Sequence, residues 1–281
     1  MSTPYIRQQG LSMIELLVAL AISSLLILGI TQVYIDNKRS YLFQQSQALN
    51  LDSARFADYM LSDLLGKAGY QRSHLQTLED FPAASALDGL CDFKAGHAIT
   101  KLADGAQGLC LRYQPAVNNE VTCAGNALAL SSASQPAFKQ PSDTEIAYIA
   151  ILFTPDNTNL EKGTISCVDK NGPAELIGGV ADFHIEFGIG NSGADKTLVS
   201  SSPWKVPADW SNSDEQPVRA IRYSVLLASA RNQRDSADSA VFTRWTTKLA
   251  TEARKTILET QDNRRIYQIA TGSQALRNLT L

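Results

Sequence analysis

From Leu11 to Val33 the chain is apolar at nearly every position, and Glu15 is the only charged residue in the run. About 20 consecutive apolar residues are enough to cross a bilayer as a helix. A core helix of a soluble protein keeps its apolar residues on one stripe, whereas this one is apolar all round. Further on the spacing changes. Ala57, Met60, Leu61, Leu64, Leu65 and Ala68 recur at i, i+3, i+4, i+7, i+8 and i+11, with Asp58, Ser62, Asp63 and Lys67 on the other faces. No Pro falls between Pro4 and Pro82, and Gly29 is the single Gly between Gly10 and Gly66. The two patterns therefore join into one helix, predicted from about Ser12 to about Ala68 and ended by "GKAGYQ". A helix of about 55 residues reaches roughly 80 Å, far beyond a membrane, so one half suits lipid and the other a soluble domain.

After residue 70 the period drops to two. "GLCLRYQP" sets Leu109, Leu111 and Tyr113 against Cys110 and Arg112, and "VADFHIEFGIG" sets Phe183, Ile185, Phe187 and Ile189 against Asp182, His184 and Glu186. "VRAIRYSVLLASA" places Ile221, Tyr223, Val225 and Leu227 on one face, while "EIAYIAILFTP" and "GTISCVD" are further strand-like runs. Such alternation predicts antiparallel strands with one buried face, and the apolar stripe of the long helix is what that face would cover. Polar loops fill Ser131–Asp143 and Gly188–Gln216, the second carrying Trp204 and Trp210; a loop that long is either a contact surface or a mobile excursion. Residues 244–263 mix helix formers with β-branched residues and fit either element, and "RRIYQIATGSQALRNLTL" reads as a last strand and tail. The fold class expected is α+β.

The chain has 281 residues, 44% of them hydrophobic and 19% charged, enough for one large domain or two small ones with a real core. A formal net charge of −3 and no Lys/Arg run argue against a nucleic-acid binder. The N-terminal run is too long for a cleaved secretory signal and lacks a small-x-small site. Arg7 on one side and Lys38 and Arg39 on the other leave its orientation open. Four cysteines, Cys91, Cys110, Cys123 and Cys167, lack zinc-site spacing, and two disulfides in an oxidising compartment fit them better. Of the three connectivities, Cys91–Cys110 would close a short polar segment that has little else to hold it down. Cys123–Cys167 would tie the start of a polar loop to a strand; the two other connectivities leave at least one loop less anchored. No catalytic arrangement, P-loop or metal motif appears, so neither an enzyme nor a cofactor is expected. Asp182, His184 and Glu186 share a strand face, where an exposed His is a simpler reading than a weak cation site.

Gly10 followed by Leu11-Ser12-Met13-Ile14-Glu15-Leu16 and the apolar run resembles the leader motif of type IV prepilins. Leu11 stands where that family usually has Phe, and Met13 where it has Leu. "DLLGKAGYQ", "VADFHIEFGIG", "VRAIRYSVLL" and "YQIATGSQALRN" resemble the PilW group of minor pilins. The resemblance implies a type IV pilin-like fold and a division into a cytoplasmic leader (1–10), a transmembrane and assembly helix (11–35), its amphipathic continuation (36–70) and a periplasmic β-rich domain (71–281). It implies cleavage after Gly10 and N-methylation of Leu11 by a prepilin peptidase, and an inner-membrane precursor that passes into a surface pilus. The partners it implies are other minor pilins, the major pilin, the inner-membrane assembly platform and a large tip adhesin.

Glu15 then has a physical role as an assembly contact. After cleavage, the Leu11 amine of a neighbouring subunit would meet the carboxylate where apolar surroundings make their attraction strong. A snorkelling acid that marks the membrane edge is the plainer reading. The function expected is that of a minor pilin that helps initiate pilus assembly and stays at or near the tip. The alternatives are a minor pseudopilin of a type II secretion system and, from another class, a membrane-anchored periplasmic hydrolase or receptor.

Overall fold

Met13–Lys67 is a single uninterrupted α-helix, α1. The computed structural model describes residues 12–73, 81–128, 146–191, 198–199, 203–212, 216–236 and 238–279. The chain divides into two compact units, residues 1–45 and 46–281. In the second unit α1 buries Ser46, Asn50, Ala54, Ala57, Leu61, Leu64 and Leu65, so the predicted stripe extends three turns further back through small and polar residues. The helix stops because Gly69 adopts a left-handed conformation (φ 71°), which an L side chain resists. The Asn278 amide donates to the carbonyls of Gly66 and Ala68, 3.1 Å each, and so serves backbone groups that a helix end leaves unpaired.

Thirteen strands follow in chain order: β1 (Ala84–Ala86), β2 (Cys91–Phe93), β3 (Ile99–Lys101), β4 (Gln107–Tyr113), β5 (Glu120–Val121), β6 (Ala127–Leu128), β7 (Ala147–Thr154), β8 (Thr164–Asp169), β9 (Gly172–Gly178), β10 (Val180–Ile189), β11 (Trp204–Lys205), β12 (Val218–Asn232) and β13 (Arg265–Ala275). They form a five-stranded sheet β3-β4-β7-β8-β9, a four-stranded sheet β11-β10-β12-β13 and two small hairpins, β1-β2 and β5-β6. Every strand pair in these sheets is antiparallel. The fold class is thus α+β, a long N-terminal helix whose second half packs on antiparallel sheets. One core joins α1 (Ala57, Leu61), the five-stranded sheet (Leu111, Ile151) and the four-stranded sheet (Phe187, Ile221).

One expectation needs correction, and one open reading resolves. The strands were expected to face solvent on one side, yet Cys110 and Arg112 on the polar side of β4 are fully buried. The Arg112 guanidinium donates to the carbonyls of His97 (2.6 Å) and Lys94 (2.9 Å) and lies over the rings of Phe81 and Phe93. Burial lowers its pKa to about 10, so it stays a cation and pins the 81–97 segment to the sheet. The ambiguous stretch at 244–263 forms two helices, α2 (Ala240–Lys248) and α3 (Glu252–Gln261), capped by the Ser239 and Thr251 side chains. They cover the second face of the four-stranded sheet in a cluster of Leu226, Ala228, Phe242, Trp245, Leu258 and Tyr267.

The residues with apparent site chemistry on that face are structural. Asp182 accepts from Trp245 Nε1 (2.8 Å) and Arg254 Nε (3.3 Å). Burial raises its pKa, and those two donors work against the shift. Glu186 pairs with Arg222 at 3.1 Å, and His184 stands 3.9 Å from Glu186, only partly exposed. The three side chains therefore do not converge, and no metal-binding cluster of His, Cys, Asp and Glu occurs among the described residues. Where it is described, the long loop is anchored to the domain through its two tryptophans. Trp210 is 1% exposed, stands edge-on to Phe187 and donates through Nε1 to the Gln216 carbonyl. Trp204 stacks under the Arg222 guanidinium. The loop at 131–143 lies outside the described residues.

Both disulfides join the pairs Cys91–Cys110 and Cys123–Cys167, with Cα separations of 5.8 and 5.9 Å. The first lies in a small core with Phe93, Leu102 and Ala150 and ties β2 to β4. The second ties the β5–β6 hairpin to β8, beside Asp169, which accepts from Thr122 Oγ1 (2.6 Å), Asn126 Nδ2 (2.9 Å) and Asn171 N–H (2.8 Å). Burial pushes the Asp169 carboxyl up, and these donors outweigh it, so its pKa is lowered. A group depressed in this way stabilises the fold above its unfolded pKa and loses that contribution as the pH falls through its folded pKa. Changing Cys167 to Ser should cost roughly 3–4 kcal/mol in the chain-entropy account of a closed loop. Chemical denaturation of the oxidised parent and of the Cys167→Ser variant measures it; equal midpoints would refute the estimate.

Candidate functional site

The first half of α1 has no fold to belong to. Every residue from Ser12 to Tyr41 is exposed, including Met13, Leu16, Leu17, Leu25, Ile27 and Ile30. In water such an apolar cylinder would aggregate; it needs lipid or other apolar helices around it. By length and composition α1 is the one helix able to cross a membrane among the described residues.

Glu15 lies in its first turn. Its carboxylate Oε2 accepts from the Ser12 N–H at 2.9 Å, and Ser12 Oγ accepts from the Ile14 N–H at 3.4 Å. This is a reciprocal cap: Ser12 precedes the helix, Glu15 is its third residue, and each serves a backbone donor of the other's turn. The negative charge also sits at the positive end of the helix dipole. The S-x-x-E spacing was present in the sequence, and reading Glu15 only against the lipid and a neighbouring subunit missed it. Removal of a leader after Gly10 would leave the Ser12 amide in place, so the cap survives processing. Gly10 and Leu11 themselves lie outside the described residues.

The second half of α1 is held by polar contacts as well as by its apolar stripe. Asn50 Nδ2 donates to the Ile266 carbonyl at 2.9 Å, and Lys67 Nζ pairs with Glu120 at 3.2 Å. Tyr223 Oη donates to Asp58 Oδ1 at 2.7 Å, and burial is the main cause of the raised phenol pKa. Gly272 makes this last contact possible. It sits opposite Tyr223 on β13, and a Cβ there would overlap the Tyr223 ring and crowd the Asp58 carboxylate. Gly272→Val should therefore cost about 1–3 kcal/mol as overpacking. A urea midpoint unchanged from the parent protein would show that the ring can move aside.

Away from these contacts, Leu49, Phe56 and Tyr59 are 60%, 47% and 66% exposed on the opposite side of the helix. The apolar surface of α1 thus does not end with its first half.

The model of the prokaryotic N-terminal methylation motif matches residues 6–31. No curated protein sequence matches the chain. Among solved structures, a type IV-like pilin from Thermus thermophilus is similar over 82% of this chain and 97% of its own, at 11% identity and a TM-score of 0.41. The chain therefore carries a prepilin-type N-terminal methylation motif, placed at the head of an exposed apolar helix.

Proposed function

We propose that this protein is a minor pilin of the PilW group, which helps initiate type IV pilus assembly and is incorporated at or near the tip through α1. The observation that carries the reading is the methylation motif at residues 6–31 leading into a helix exposed from Ser12 to Tyr41. A membrane pool would store that surface in lipid, and a filament would bury it against the same helices of other subunits. In this reading residues 1–10 are a cytoplasmic leader, 11–35 the transmembrane and assembly helix, 36–70 its amphipathic continuation and 71–281 the periplasmic domain. The two disulfides suit an oxidising compartment. A prepilin peptidase, the assembly platform, the major pilin, other minor pilins and a large tip adhesin are the partners. A deletion strain scored for surface pili and for secreted exoenzymes tests the assignment. Loss of pili with secretion intact supports it; the reverse makes the chain a pseudopilin of a type II secretion system.

Within that reading Glu15 serves two ends, capping its own helix and pairing with the Leu11 amine of a neighbour. Glu15→Ala should insert at least as well as the parent, because a charge leaves a helix whose centre would charge about 2.5–3.5 kcal/mol for it. It should still restore few pili to a deletion strain. Glu15→Gln keeps an acceptor for the Ser12 N–H but not the charge. Full piliation by Gln but not Ala would reduce Glu15 to a helix cap.

A further inference from the structure

β10 is an interior strand for only part of its length. β11 pairs with it at Phe187 and Gly188, and the Ile189 N–H donates to the Pro203 carbonyl at 2.7 Å. Backbone alternation turns the peptide groups of residues 183 and 185 to that same side, and Ala181 lies in a register irregularity between Val180 and Asp182. Part of this edge is served: the Ala181 carbonyl accepts from Arg254 Nη2 at 2.7 Å, and the Phe183 N–H lies against the Asp182 carboxylate. The Phe183 carbonyl and both peptide groups of Ile185 have no strand beside them among the described residues. Phe183 and Ile185 are only 4% and 5% exposed, where an unpaired ladder group is costly.

Against this edge lies a cleft of about 690 Å³. Lys101 to Gly108 form its far wall, Val206 to Ala208 close the end where β11 stops, and Thr251 and Arg254 close the other. Its lining mixes Leu102, Phe183, Ile185 and Val206 with two fixed cations, Lys101 and Arg254, against one acid, Asp104. Arg254 is already paired with Asp182, whereas the Lys101 ammonium donates only to the Trp210 carbonyl at 3.3 Å among the described residues.

We propose that the open edge of β10 docks an extended polypeptide segment of another protein, which continues the β11 pairing across Phe183–Ile185. Unfilled backbone donors and acceptors in a row are satisfied by a strand and by little else. At about 3.3 Å per residue, three or four residues cover the edge from Glu186 to Phe183 that β11 leaves open. Alternate apolar side chains would settle on Leu102 and Val206, and an acidic residue would face Lys101. The site stands on the globular domain alone and is independent of the filament role proposed for α1.

The test uses the full chain in detergent micelles and the peptide acetyl-Val-Ser-Val-Glu-Val-amide. In the free protein the Ile185 amide should exchange with solvent at least about tenfold faster than those of His184 and Glu186, and saturating peptide should slow it by a similar factor. N-methylating the peptide on its bonding edge removes two donors and should weaken binding about tenfold or more. Ala208→Trp, which fills the cleft, should abolish binding, and Lys101→Glu should shift preference to the peptide with Lys in place of Glu. An Ile185 amide already protected in the free chain overturns the proposal. So does equal binding of the N-methylated peptide, or no binding at millimolar concentration.

Discussion

Gly10→Val should leave the protein at its full length in the membrane and should remove it from any surface filament. The position precedes the methylation-type helix head, and the residues of the motif match the family model from 6 to 31. A peptidase that cuts beside Gly needs the chain to pass close to its own catalytic groups; a β-branched side chain both widens and stiffens the backbone there. Immunoblotting of membranes would show one band at the precursor size, where the parent shows the shorter mature form. N-terminal sequencing of the parent should begin at Leu11, N-methylated. A mature terminus elsewhere, or equal processing of the variant, would remove the basis for the filament reading. The loss should be close to complete, because an uncut leader keeps Leu11 from offering a free amine to Glu15 of a neighbour.

The second large effect lies in the globular domain. Arg254→Met should destabilise the fold by about 3–5 kcal/mol, since it leaves the buried Asp182 carboxylate without its cation. Arg254 also bonds Asn157 Oδ1 and the Ala181 carbonyl, 2.7 Å each, so the start of β10 and the 157 loop should loosen together. The pH dependence separates this mechanism from simple loss of packing. Burial already raises the Asp182 pKa, and removing Arg254 raises it further. An acid whose folded pKa lies above its unfolded value is favoured when protonated. The deficit of the variant should therefore shrink as the pH falls through that folded pKa and be full above it. Urea unfolding of both proteins across the acid range would show it, and Asp182→Asn in the Arg254→Met background should recover part of the loss. A deficit independent of pH would assign the effect to packing.

α1 was legible from residue spacing because its determinants are local. An unbroken apolar run followed by a 3.6-residue stripe, with no Pro, leaves little else to form, and the helix runs Met13–Lys67. Strands β4, β10 and β12 were legible from their period of two, and β7, β8 and β13 from their strand-like composition, which are local signals as well. What spacing did not show is how many faces would be covered. Arg112 looks like an exposed strand residue, and only the arrival of Phe81, Phe93 and three backbone carbonyls from 15 to 31 residues upstream makes it buried. Asp182 looks like one member of a weak cation site until α2 and α3 fold over it, and those helices read as ambiguous because they mix helix formers with β-branched residues.

Glu15 divides the same way. That an acid stands at the head of an apolar helix is written in the residue order, and so is the S-x-x-E cap. The pairing of Cys91 with Cys110 and of Cys123 with Cys167 depended instead on where strands distant in sequence come to lie, since four cysteines alone permit three connectivities. The open edge of β10 is of that second kind as well. A strand's own residues specify which way its peptide groups point, but whether a neighbour meets them is decided by the length of β11, two residues, and by the loop that carries it past. Local sequence thus determined the elements and the character of the N-terminus. Tertiary structure decided which polar groups are buried, which are paired and which are left facing a cleft, because each of those outcomes depends on chain segments that arrive from far away.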